Sequence, residues 1–223
     1  MVLSRKMLVG VALSALLSIA PAMAQVVTEA PLVQDGNALV LSTVGHQFKL
    51  PLPDWLTPAE RLSGNVQPLV ETTFRSDPTQ ALLEIYPKGE TPEAWTKLYG
   101  ARITLEASRP LTDYRSAVMY GYSQTCNPKL SGFFQFGDDS GDSLAPLGYV
   151  CGAYLDRLEG YSGQGEVMVM AFSKTEKGVA IVYQEWRGPL FDPSDPTTWP
   201  VSTDVLKARA EQLQAEAALS LAD

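Results

Sequence analysis

Four glutamates, Glu71, Glu84, Glu166 and Glu185, fall on strand-like segments, and a pair of carboxyls facing a cleft is what acid–base hydrolysis of a glycan would require. Their spacing singles out no pair. Glu185-Trp186-Arg187-Gly188 ends a strongly apolar strand, which places Arg187 to meet an anionic ligand or to pair with an acid. Trp95, Glu185 and Arg187 are the candidate contacts for a ligand or partner. A Ser/His/Asp or Cys/His nucleophile would have to use His46, the single histidine. It sits on a predicted strand beside Gln47 and Phe48, with no elbow-like motif around any serine, so it reads as a surface or core-edge residue. Asp138, Asp139 and Asp142 invite calcium. Counting from Asp138, however, Ser143 and Tyr149 stand where the helix–loop–helix pattern wants a glycine and a carboxylate, so a solvated acidic turn is expected. The sequence holds no phosphate loop, dinucleotide fingerprint, haem motif or metal-ligand cluster. No catalytic, cofactor-binding or metal residue is assigned, and no cofactor is expected.

The start of the chain sets the compartment in which these residues would act. Arg5 and Lys6 precede an uncharged apolar run from Met7 to Ala20, and Ala22-Met23-Ala24 supplies the small-x-small pattern that signal peptidase reads. The run is too short to cross a bilayer stably, which takes roughly 20 residues. Residues 1–24 therefore read as a cleaved signal peptide, and the product as periplasmic or secreted. In that compartment Cys126 and Cys151, the only two cysteines, are expected to form a disulfide closing a loop of about 25 residues. Zinc would need four ligands, and only His46 could join them.

The formal net charge of the whole chain is −8, and losing Arg5 and Lys6 makes the mature protein more acidic still. With no run of Lys and Arg after the signal, nucleic acid is not an expected partner. No later segment is long and apolar enough for a membrane span. Residues 25–37 carry Pro, Gly, Asn and Asp without a period and read as a tail, leaving 38–223 as one domain.

Within that domain, Ala38–Thr43 and His46–Leu50 read as strands joined at Val44-Gly45, followed by a proline-rich stretch in which Trp55 closes the core edge. Val66–Arg75 and Ala81–Tyr86 form a predicted hairpin across Ser76-Asp77-Pro78. Thr91-Pro92-Glu93 has the chemistry of a helix start, predicting a short helix through Trp95 and Leu98 that ends at Gly100. Arg102–Glu106 alternates as a strand, and Thr112–Tyr120 reads as a second helix capped by Thr112. Lys129–Phe136 and Leu147–Leu155 are strands. Glu166–Ser173 and Val179–Trp186 form the clearest hairpin, apolar on both faces and hence central, with Gly178 supplying a left-handed turn residue. Ser202 caps a terminal helix whose stripe is Leu206, Ala210, Leu213, Ala217 and Leu221. The total is about eight strands and three helices: an α+β domain whose mostly antiparallel sheet carries helices on both faces.

Gly89-Glu-Thr-Pro-Glu-Ala-Trp95, Gly148-Tyr-Val-Cys151-Gly152, Gly165-Glu-Val-Met-Val169 and Tyr183-Gln-Glu-Trp-Arg-Gly188 together resemble an uncharacterised group of proteobacterial exported proteins. The layout also looks like the α/β/α sandwich of Mog1 and the PsbP-type photosystem proteins. The likeness covers most of residues 65–220. It implies a Mog1/PsbP-like domain used for docking, and it transfers no binding residue. The expected function is that of a non-catalytic periplasmic module binding an envelope protein or a small ligand. A carboxylate-dependent envelope hydrolase is one alternative. A carrier of an apolar ligand, suggested by Phe133, Phe136, Met168 and Met170, is the other.

Overall fold

In the computed structural model, which describes residues 29–141, 143–158 and 160–222, the chain is mostly β. The proposed signal peptide lies outside the described residues, as does Asp142. Among the described residues no helix is long and apolar enough to cross a membrane.

The first three strands are β1 (Leu32–Asp35), β2 (Ala38–Thr43) and β3 (His46–Pro51), with a single-turn helix α1 at Pro58–Arg61. Then come β4 (Val70–Ser76), β5 (Gln80–Pro87), β6 (Lys97–Thr104), helix α2 (Leu111–Ser123), β7 (Ser131–Gln135) and β8 (Leu147–Cys151). The chain closes with β9 (Gln164–Lys174), β10 (Val179–Pro189), helix α3 (Thr203–Glu216) and β11 (Ala218–Leu221). They build two antiparallel sheets, β1-β2-β3-β11 and β4-β5-β6-β10-β9-β8-β7.

This corrects the expected sandwich of helices on both faces. One face of the large sheet packs against the small sheet and α3, sharing an apolar cluster that includes Leu41, Phe48, Tyr99, Val169, Trp186 and Leu213. The other face carries α2 and loop segments over Tyr149, Met168, Met170 and Tyr183. The second sheet went unseen for local reasons. Leu32–Asp35, read as tail, pairs with β2 instead. The terminal helix stops at Glu216, Ala217 turns extended, and Leu221, the last residue of the expected stripe, pairs with β3 in the strand Ala218–Leu221.

The helix predicted after Thr91 is also absent. The Glu90 carboxylate accepts hydrogen bonds from the Thr96 amide (2.7 Å) and hydroxyl (2.6 Å), turning the chain directly into β6. That strand is hydrogen-bonded between β5 and β10, and pairing on both sides outweighs a local propensity worth under a kcal/mol per residue. Helix α2 starts one residue early, behind Pro110, so Thr112 is not its cap. Ser202 does cap α3.

The β9–β10 hairpin is central, as expected, with both strands buried along most of their length. Gly178 is not left-handed there; a Cβ at this position would stand 2.6 Å from the Thr104 carbonyl oxygen, so close approach requires the glycine. Cys126 and Cys151 form the disulfide, with Cα atoms 5.7 Å apart.

Candidate ligand-binding cleft

Register and alternation decide which side chains share the α2 side of the large sheet. Arg187 on β10 stands opposite Glu166 on β9, and Glu166 stands opposite Cys151 on β8. Two residues along β10, Glu185 pairs with Met168 on one side and Leu98 of β6 on the other. Next comes a row formed by Glu84, Gly100 and Tyr183, then one formed by Arg75, Leu82, Arg102 and Ile181. In a strand every second side chain faces the same way, so all of these point toward α2. The Tyr183 ring lies against Gly100, where a side chain would collide with it.

Between this floor and α2 runs a cleft of about 810 Å³. Its walls include Tyr114, Val118 and Tyr122 of α2, Trp95 from the loop before β6, and Tyr154 and Tyr161 from the loop after β8. That volume is within the usual range for small-molecule sites, roughly 300–1,000 Å³.

At the inner end lies a carboxyl pair. Glu166 and Glu185 are 3% and 5% exposed and face each other within hydrogen-bonding reach. The Tyr154 hydroxyl donates to Glu166 Oε2 in a short contact, and the Tyr122 hydroxyl donates to Glu185 Oε1 at 3.0 Å. Burial, then the neighbouring Glu166 charge, pushes Glu185 well above the ordinary carboxylate range. Burial raises Glu166 too, against the opposing pull of the Tyr154 hydroxyl and the Arg187 charge. The pair therefore holds a proton under conditions where an exposed glutamate has lost it. Burial and the nearby glutamates likewise hold the Tyr86, Tyr122 and Tyr154 hydroxyls protonated.

Arg187 supplies the local positive charge. Its guanidinium lies 4.2 Å from the Trp95 ring centroid and 4.9 Å from that of Tyr161, and its Nε donates to the Trp95 carbonyl at 2.8 Å. Its Nη1 is buried without a hydrogen-bond partner among the described residues. The three candidate contacts Trp95, Glu185 and Arg187 thus meet at one place, with Glu166.

The outer end carries Arg75, Arg102 and Arg109, with Glu106. Arg102 is exposed and forms no ion pair among the described residues, and Arg109 packs 5.4 Å from the Tyr114 ring centroid while pairing with Glu106 at 2.8 Å. Among the described residues the Tyr114 hydroxyl is buried and has no hydrogen-bond partner of ordinary geometry.

The remaining candidates lie elsewhere or inside the core. Glu71 is on β4, outside the cleft, bound to Lys88 at 2.8 Å. Glu84 lines the cleft, accepting from Thr73 at 2.8 Å with Arg75 at 3.6 Å. His46 is buried with Nε2 2.9 Å from Thr175 Oγ1 and Nδ1 3.0 Å from the Val44 carbonyl, tying the small sheet to the β9–β10 turn. Asp139 binds Arg115 at 2.7 Å, which draws its carboxyl below the usual range. Met168 and Met170 are wholly buried in the core beneath α2, and Phe133 packs against the same cluster. Phe136 packs against the other core. Among the described residues, no three His, Cys, Asp or Glu side chains are grouped to hold a metal ion.

Sequence reasoning missed Arg102 and the tyrosines at 86, 114, 122, 154 and 161. They sit on two strands, a helix and a loop, and only the register and the path of α2 bring them together. Compared with family models, curated proteins and solved structures, the chain matches none.

Proposed function

We propose that this protein is an exported, periplasmic binding protein that holds a small organic ligand in the cleft beneath α2 without transforming it. The observation that carries this reading is a cleft of ligand size floored by a buried, proton-sharing carboxyl pair and walled by tyrosines. The disulfide fits an oxidising compartment, and the resemblance to exported proteobacterial proteins points the same way. A glycan hydrolase is disfavoured by distance. Such enzymes separate their carboxyls by about 5 Å or more, to leave room for a sugar carbon or a water, whereas Glu166 and Glu185 lie within hydrogen-bonding reach of each other.

Gly121 offers a means of testing the cleft. It lines the cleft from α2, and an added Cβ meets nothing within 4 Å, so Gly121→Trp adds bulk at the cleft wall without a clash at its Cβ. Protein purified gently from its native compartment should show a non-covalent small-molecule adduct by native mass spectrometry, and Gly121→Trp should lose it. A wild-type protein that is bare, or an adduct that survives Gly121→Trp, contradicts the proposal.

A further inference from the structure

We propose that the ligand is a short zwitterionic peptide of two or three residues, lying with its amino end toward Glu84 and Glu185 and its carboxylate toward Arg102 and Tyr114. This rests on the binding reading above and names the chemical class that the cleft takes.

The cleft is polarised along the strands. Arg102 pairs with Leu82 and Ile181; two residues on, the same face presents Glu84 and Tyr183, and four residues on, Leu98 and Glu185. At about 3.4 Å per residue, the backbone of the Arg102 row lies about 7 Å from that of the Glu84 row and about 14 Å from that of the Glu185 row. An extended peptide advances about 3.3–3.6 Å per residue, so two residues reach from the Arg102 row to the Glu84 row and a third extends toward Glu185. A free amino acid carries its two charges on neighbouring atoms and cannot span this distance. A dicarboxylate would put one acid against Glu84 and the Glu166–Glu185 pair.

Two observations mark the basic end as a receiving site. Arg102 stands exposed on the cleft floor without an ion-pair partner among the described residues, although Arg75 and Arg109 each have an acid within 4 Å. The Tyr114 hydroxyl, on a side chain 4% exposed, lines the same end near the Thr104 side chain and has no hydrogen-bond partner of ordinary geometry among the described residues. A guanidinium and an adjacent hydroxyl donor make the usual receptor for a carboxylate. At the other end Glu84, which already accepts from Thr73 and lies 3.6 Å from Arg75, and the proton-sharing Glu166–Glu185 pair offer carboxyl oxygens, and the tyrosine rings leave apolar wall for peptide side chains.

The probe is trialanine, titrated calorimetrically into the full mature protein alongside its N-acetylated and C-amidated forms. Free trialanine should saturate the protein, and each blocked form should bind about tenfold or more weakly, the loss of one charge-assisted contact. Arg102→Gln should erase the discrimination against the amide and leave that against the acetyl form, while Glu84→Gln should do the reverse. Arg102→Lys should restore part of the binding. Unchanged thermal midpoints confirm that both variants are folded. Equal binding of free and blocked peptides overturns the proposal. If no peptide binds while native mass spectrometry still finds an adduct, the ligand class is wrong and the binding reading stands. If no peptide binds and the cleft is also bare, both fail.

Discussion

Replacing Cys126 and Cys151 together by alanine should lower the thermal unfolding midpoint by about 6–12 °C. The bridge spans 25 residues of sequence, and closing a loop of that length in the unfolded chain is worth about 3 kcal/mol. In a domain of this size each kcal/mol moves the midpoint by about 2–4 °C. Both sulfurs are fully buried, so the cavities left by truncation add to the loss. The effect should extend to the cleft. Cys126 follows α2, and Cys151 stands opposite Glu166, so the bridge ties the helix carrying Tyr122 to the strand beside the carboxyl pair. Calorimetry of the oxidised protein, the reduced protein and the double variant checks this. An unchanged midpoint would mean that the bridge constrains nothing the fold does not already hold.

Glu185→Gln should stabilise the protein at about pH 8 and flatten its stability between about pH 5 and pH 8. The wild-type carboxyl is raised above its unfolded value by burial and by Glu166, so the folded state binds a proton that the unfolded chain has released. Stability is therefore greatest below the unfolded pKa and falls as the pH rises toward the folded one. Each pK unit of that rise corresponds to about 1.4 kcal/mol. Glutamine cannot ionise, and its amide can still accept from Tyr122 and donate to Glu166. The other groups around this carboxyl are Glu84, Tyr86, Tyr149, Tyr154 and Tyr183, none of which is altered by the substitution. Acidic groups with depressed values act in a separate window. Asp77, drawn down to about 2 chiefly by the Thr79 hydroxyl, withdraws stability only below about pH 4. Thermal midpoints of both proteins across this range give the comparison, and parallel curves would show that the buried pair does not titrate as a pair.

How much of this was legible depended on the range of the interactions concerned. The β9–β10 hairpin declared itself because apolar residues on both faces demand cover above and below. The disulfide was legible because only two cysteines exist. Trp95, Glu185 and Arg187 were named from one strand end and one tryptophan, and they meet around a single guanidinium. The layer arrangement was not legible. Leu32–Asp35 and Ala218–Leu221 are four-residue strands at opposite ends of the chain that gain their order from β2 and β3, not from their own pattern. Thr91-Pro92-Glu93 offered a sound helix cap, and Glu90 used the following amides for a turn instead. Choosing Glu166 as the partner of Glu185 from four candidate acids required the offset of β9 against β10, which no spacing in the sequence discloses.

The buried pair is the feature on which the cleft, its charge pattern and its pH behaviour all depend. Carbon-13 NMR titration of the glutamate side-chain carboxyls observes it directly. Two coupled resonances should titrate above the ordinary glutamate range, and Glu185→Gln should remove one and leave the other as a single titration still raised by its burial. Independent titration of every glutamate near its ordinary value, unchanged by the substitution, would contradict the account.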